Sequence, residues 1–263
     1  MAAVQTERSN SSRAVFFIGT PAVGKEAVAT EIANILGGRM LNTERLIRAA
    51  AHIGESSLWL KCIDEEQSVT LPGAIRRLVG LMRIKQRGLH FAPVEGDRSL
   101  HIFDGRTDLT ESIHPRYRRK QGWSNLEPLA AILASKKTIH REMIAVWKRS
   151  IREQNVTAVI AKRPAELIHT PLLVVWLTAD PALSAGYRFL TGANATESYA
   201  DELEYLKRRN DVYQQSALEV VPSGALHIDM NPYLLTKRGP CEAAGMVYRE
   251  YTRRRDERSL PVR

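Results

Sequence analysis

Residues 13–36 read Arg13-Ala14-Val15-Phe16-Phe17-Ile18-Gly19-Thr20-Pro21-Ala22-Val23-Gly24-Lys25-Glu26-Ala27-Val28-Ala29-Thr30-Glu31-Ile32-Ala33-Asn34-Ile35-Leu36. Val15 to Ile18 form a continuous apolar run, as expected of a strand buried on both faces. Gly19 and Gly24 bracket a turn, and Val28, Ile32, Ile35 and Leu36 then recur at helical spacing. Strand, glycine loop and helix start bring backbone N–H groups and the positive end of a helix to one place. That geometry wraps a phosphate chain.

Gly19-x-x-x-x-Gly24-Lys25 satisfies the first seven positions of the P-loop pattern, with Lys25 placed to reach the β- and γ-phosphates of ATP. The expected cradle is Gly19, Thr20, Ala22, Gly24, Lys25 and Glu26. The eighth position is Ser or Thr in the pattern, where its hydroxyl holds Mg²⁺, but here it is Glu26, followed by Ala27. A carboxylate there offers Mg²⁺ an oxygen and also repels a triphosphate. The hydroxyl and the lysine perform separate tasks in phosphoryl transfer, so cradle and turnover are separate questions. A tight strand-to-helix turn with an exposed lysine is the plainer alternative.

The chain has 263 residues, 44% of them hydrophobic and 25% charged, enough for one large α/β domain with an insertion or for two small domains. No apolar run reaches the length of about 18 residues that a membrane helix needs. Residues 1–13 read as a flexible polar tail without the apolar region of a signal peptide, although a short transit peptide stays open. Cys62 and Cys241 have no metal or redox spacing, which fits a reducing compartment, the cytoplasm or an organelle matrix. The seven histidines form no ligand motif, so no metal-ligating residues are assigned. A net charge of +9 and a pI near 9.7 point to an anionic partner, nucleotide or RNA.

Further along, Arg39–Leu41 reads as a second strand and Asn42 or Thr43 as the cap of a helix carrying Leu46 and Ile47. Leu71–Gln86 reads as a helix, Gly88–Arg98 as a loop, Leu100–Phe103 as a strand and Asp104-Gly105 as a turn. Leu126–Leu133 and Thr138–Gln154 read as helices, with Val156–Ala161 and Leu172–Leu177 as strands. Asp180-Pro181 opens the next helix. Tyr199–Tyr213 is a charged helix, Ala225–Ile228 a last strand and Pro240–Arg254 a closing helix. Alternating strands and helices imply an α/β fold, a parallel sheet with helices on both faces.

The order of these pieces resembles the bacterial-type cytidylate (CMP) kinase family of P-loop nucleoside monophosphate kinases over about residues 14–250. Leu41-Asn42-Thr43-Glu44-Arg45-Leu46-Ile47-Arg48 is similar to the family's L-D-[ST]-G-x-x-Y-R. Asp108-Leu109-Thr110-Glu111-Ser112-Ile113 resembles its D-V-S-x-x-I, Trp123-Ser124-Asn125 its V-S-N and Ala179-Asp180-Pro181 its A-S-P. The resemblance implies a kinase-like core at 14–53 and 123–250, with a lid about 187–216. It further implies an inserted acceptor-binding domain at 54–122 and leaves a basic tail at 251–263. Residue by residue, it implies that Thr43, Arg48, Ser124 and Arg141 hold the acceptor nucleotide.

Several family charges are replaced. The aspartate after the second strand is Asn42, the tyrosine is Ile47, and the G-R-D after the third strand becomes Ala161-Lys162-Arg163. The lid's arginines and aspartates become Arg209-Asn210-Asp211-Val212-Tyr213-Gln214-Gln215-Ser216. Phosphoryl transfer between polyanions is catalysed by positioning and by neutralising charge, so Lys162 and Arg163 become the candidate catalytic cations beside Lys25. Lys207, Arg208 and Arg209 are alternatives, or a solvated helix face.

Two functions follow as expectations. One is a divergent ATP-dependent nucleoside monophosphate kinase that transfers the γ-phosphoryl to a CMP-like acceptor. The other is a catalytically inactive kinase fold serving in an RNA-containing assembly such as an organellar ribosome. The basic segments 116–120 and 253–263 would then touch RNA.

Overall fold

The computed structural model describes residues 14–56, 71–84, 87–114, 137–161, 172–192, 196, 198–217 and 221–259. The chain divides into two compact units. One comprises residues 1–42 and 151–263, and the other residues 43–150.

The first unit is built on a five-stranded sheet. Its strands are β1 (Val15–Gly19), β2 (Arg39–Asn42), β6 (Val156–Ile160), β7 (Leu173–Thr178) and β8 (Leu226–Asp229), in the order β2-β6-β1-β7-β8. Every pairing is parallel. Val15 lies between Ala158 and Leu173, and Gly19 lies beside Leu177 at the carboxyl end of the sheet. Parallel neighbours need crossover connections, which is why helices alternate with these strands.

Val15, Phe17, Val175 and Leu177 share a core with Val28 and Ile32 of α1 (Lys25–Ile35). Ala243, Ala244, Val247 and Tyr251 of the closing helix Gly239–Ser259 complete that core. Phe16, Ile18 and Val174 alternate to the opposite side and are buried as well. Burial on both faces is what the unbroken apolar runs in β1 and β7 record.

The second unit holds α2 (Glu44–Ser56), α3 (Leu71–Arg83), a small antiparallel sheet and most of α4 (Lys137–Glu153). That sheet runs β3 (Leu89–Ala92), β4 (His101–Asp104), β5 (Thr107–Asp108). Gly105, with φ of 59°, makes the tight β4–β5 turn. β3 corrects the sequence reading, in which 88–98 is a loop. Leu89 and Phe91 are buried while His90 and Ala92 are less so, a four-residue alternation that lines up with β4 residue by residue. Ile139, Met143, Val146 and Ser150 form the buried stripe of α4.

α5 (Pro181–Thr191) and α6 (Tyr199–Ala217) follow β7 in the first unit, and the closing helix is α7. α6 runs four residues past the expected Tyr213 and α7 five past Arg254, because residues 214–217 and 255–259 hold no glycine or proline to stop it. No helix among the described residues is long and apolar enough to cross a membrane.

Three arginines of α7 are paired within the helix. Glu250 accepts hydrogen bonds from Arg253 at 2.7 Å and from Arg254 at 2.7 Å, Arg253 also reaches Glu257, and Arg255 meets Asp256. Hydrogen bonding from Arg253, opposed by burial and joined by Arg254, holds the Glu250 carboxyl down to about 2. A depressed carboxyl contributes stability above its ordinary value of 4.5, and the contribution is lost as pH falls from 4.5 towards 2. The cluster lies at the surface and is screened, so Glu250→Gln is expected to cost about 1 kcal/mol at pH 7 and only a small fraction of that at pH 2. Denaturant titration at the two pH values measures it.

Candidate active site

β1 ends at Gly19, and the chain turns there because a side chain has no room. A Cβ on Gly19 would lie 2.1 Å from the carbonyl oxygen of Leu177. That oxygen accepts the N–H of Thr20 at 3.1 Å, so β7 holds the start of the loop. Ala22 and Gly24 take left-handed conformations, with φ of 60° and 77°. Such alternation turns successive N–H groups towards a common centre, an anion-binding nest. The positive φ at Ala22 costs about 1 kcal/mol or more, and a strained non-glycine residue is a mark of functional loops. Gly24 precedes α1 and has no side chain to cap it, and Leu234 from the loop after β8 lies 3.5 Å from its Cβ position.

Lys25 is the first residue of α1 and folds back over the loop. Its Nζ donates to the carbonyls of Gly19 at 2.9 Å and Thr20 at 2.6 Å. The ammonium therefore sits at the mouth of the nest, held by the backbone it would exchange for a phosphate. The Thr20 hydroxyl is buried with no hydrogen-bond partner in the described structure. Glu26 lies exposed in the first turn of α1. Its carboxylate acts on Tyr187 of α5, whose hydroxyl is pushed up by burial and then by the Glu26 charge. Gly19 thus ends β1, Thr20, Ala22 and Gly24 lie in the turn after it, and Lys25 and Glu26 lie in the first turn of α1.

The neighbouring elements commit other charges. Asp180, after β7, caps α5 by accepting the N–H of Ala182 at 2.7 Å. Arg188 of α5 lies 3.0 Å from Glu202 of α6, and Glu202 is fully buried. The second oxygen of Glu202 accepts the backbone N–H of Thr196 at 2.9 Å and its hydroxyl at 3.0 Å. The region expected as a lid contains α5 and α6, which this ion pair bridges. Lys207 is exposed and Arg208 pairs with Glu204 at 2.9 Å.

All four expected acceptor residues fall within residues 43–150 of the second unit, and three of them are described. Thr43 is buried at the start of α2, where its carbonyl accepts the N–H of Leu46. Arg48 reaches Glu44 at 3.2 Å on the same helix. Arg141 stands on α4 with 73% of its side chain exposed, 3.8 Å from Glu142. Ser124, Lys162, Arg163, segment 116–120 and residues 260–263 lie outside the described residues. Among the described residues no three of His, Cys, Asp and Glu converge as a metal site.

A titratable cluster in the second unit has no motif in the sequence. The His101 ring lies between two carboxylates, with Nδ1 2.6 Å from Asp108 and Nε2 2.8 Å from Asp97. Carboxylates only accept, so both ring nitrogens must donate, and the geometry demands the imidazolium. Burial works against that charge, but the hydrogen bonds and charges of Asp108 and Asp97 outweigh it and raise the His101 pKa. For both aspartates burial likewise opposes, and their hydrogen bonds, to the Ser99 N–H and His101 at Asp97 and to His101 and Thr110 at Asp108, hold them below the ordinary value.

A raised folded pKa gives stability that is full below the ordinary histidine value of 6.5 and is lost as pH rises through the folded value. The β4–β5 hairpin is expected to lose amide protection as pH rises above the ordinary histidine value of 6.5, beyond the intrinsic pH dependence of exchange. His101→Gln should abolish that step, as followed by hydrogen exchange.

No protein-family model matches the sequence, and no curated protein matches it. Among solved structures, the dephospho-CoA kinase from Campylobacter jejuni is similar to this chain at 15% identity and a TM-score of 0.34. The similarity covers 91% of this chain and 97% of that one. At that score the fold rests on the strand order and loop geometry described above.

Proposed function

We propose that this protein is a divergent nucleotide kinase that binds the triphosphate of ATP in the Gly19–Lys25 loop. The observation that carries the reading is Lys25 closing on the Gly19 and Thr20 carbonyls over a loop with left-handed residues at 22 and 24. A γ-phosphate entering there would take over the lysine's two hydrogen bonds. An oxygen of the acceptor's phosphate would attack the γ-phosphorus, and the bond to the β–γ bridging oxygen would break, leaving ADP. A CMP-like monophosphate is the acceptor class, with Thr43, Arg48, Ser124 and Arg141 as its contacts and Lys162 and Arg163 as charge-neutralising cations.

The loop suits ATP better than it suits Mg²⁺. Mg²⁺ would supply neutralisation of phosphate charge, and Glu26 is the hard oxygen donor beside the loop that would hold it. Glu26 stands where the hydroxyl is usual, so Glu26→Ser is expected to raise turnover at limiting Mg²⁺ by about tenfold. Equal turnover across a Mg²⁺ titration would contradict that role.

A second reading is a kinase fold without turnover, serving in an RNA-containing assembly. It draws on Glu26 and on Arg188, a lid cation engaged with buried Glu202. Diphosphate formation from Mg-ATP and a panel of nucleoside monophosphates, run beside Lys25→Ala, separates the two. Acceptor-dependent product that disappears in the variant supports the kinase. No product above the variant's level for any acceptor overturns it.

A further inference from the structure

The two units carry very different charge. Residues 43–150 hold 19 lysines and arginines against 12 acidic residues, whereas the rest of the chain holds 19 against 17. Thus +7 of the net +9 belongs to the second unit, and α7, with its paired arginines, is close to balance.

Much of the second unit's described excess lies on two helices. On α4, Lys137, Arg141 and Lys148 are exposed. At 100° per residue they fall within an arc of about 40° and extend along about 16 Å of helix. Ala145 is the exposed apolar residue on that face, and Trp147 is turned inward and buried. α3 contains no acidic residue, and Arg76, Arg77 and Arg83 are exposed on it. Glu142, a carboxylate of α4, is engaged 2.7 Å from Arg83, so the ion pair joins the two helices.

We propose that this α3–α4 face docks the phosphate backbone of double-stranded RNA. A basic line about 16 Å long exceeds what one nucleotide's phosphates can neutralise, so the partner is a polyanion. An acidic protein is disfavoured because the face lacks the aromatic and apolar anchors that carry protein interfaces. A single strand is disfavoured because neither α3 nor α4 carries an exposed aromatic as a stacking platform among the described residues. Base readout in a DNA groove uses Asn and Gln beside Arg, and neither α3 nor α4 contains Asn or Gln. Recognition by shape and phosphate, without base edges, is the mode by which duplex RNA is bound. The surface is independent of turnover in the P-loop.

Fluorescence anisotropy of the full chain with a 20-base-pair RNA duplex, titrated from 50 to 200 mM salt, tests it. Four phosphate contacts give an affinity loss on the order of a hundredfold over that range. The variant carrying Arg76→Ala, Arg77→Ala, Lys137→Ala and Lys148→Ala should bind at least tenfold more weakly, with a salt slope smaller by about four. Lys137→Arg with Lys148→Arg should bind like the parent, and Lys25→Ala should leave RNA binding unchanged. Should the fourfold variant misfold, Lys137→Gln with Lys148→Gln should lower the slope by about two. Binding without salt dependence, unchanged binding by the charge variants, or tighter binding of single-stranded RNA or duplex DNA would overturn the proposal.

Discussion

Alanine at position 19 is expected to destabilise the first unit by about 3 kcal/mol or more, at the upper end of what overpacking produces. The added Cβ would meet the Leu177 carbonyl oxygen at 2.1 Å. That oxygen belongs to the backbone of a central strand and accepts the Thr20 N–H, so it cannot move without opening the β1–β7 pairing. The cost therefore falls on the sheet and on the phosphate loop together. Thermal unfolding should shift down by roughly 6–12 °C. Alanine at Gly105, in the β4–β5 turn, has open space around it apart from the Arg87 carbonyl at 3.6 Å. It should cost only the roughly 1 kcal/mol of its left-handed backbone. Equal shifts for the two substitutions would show that strand spacing is not what excludes a side chain at Gly19.

Loss of Glu202 is expected to be nearly as severe. Its carboxylate is fully buried against Arg188 and both donors of Thr196. Glu202→Ala removes one partner of a buried pair and should cost about 3–5 kcal/mol, concentrated in the α5–α6 hairpin. Replacing the pair together, Arg188→Met with Glu202→Leu, removes both charges and should recover most of that loss. Denaturant unfolding of the parent and the two variants reads the difference. If the double variant is as unstable as Glu202→Ala, the carboxylate acts through Thr196 and the packing rather than through Arg188.

The parts legible in the sequence are those whose signal is local. β1, the glycine loop and α1 are consecutive, so apolar run, glycine spacing and helical period stand within 24 residues. Leu173–Leu177 declares its burial by being apolar throughout, and Asp180-Pro181 states both the cap and the first helical residue of α5. Such signals survive because backbone geometry and burial are decided by near neighbours.

What was not legible depends on distant neighbours. β3 is four residues long between Gly88 and Pro93, and its pairing with β4 makes it a strand. The His101 cluster takes one partner from the preceding loop and one from β5, so no spacing rule gathers them. Arg188 falls within the span about 187–216 that the resemblance makes a lid, with no local sign of a partner. Its engagement with Glu202 appears once α5 and α6 lie side by side. The charge asymmetry likewise needed the boundaries of the two units, because a chain-wide net charge conceals which unit carries it.

The central claim is that the Gly19–Lys25 loop is a working triphosphate site, and calorimetric titration of the protein with ATP tests it most directly. Saturable one-to-one binding in the parent, weakened at least tenfold by Lys25→Ala, is the result expected from an ammonium poised over the loop carbonyls. No binding by the parent, or equal affinity in the variant, would contradict the account and leave the loop as a strand-to-helix turn.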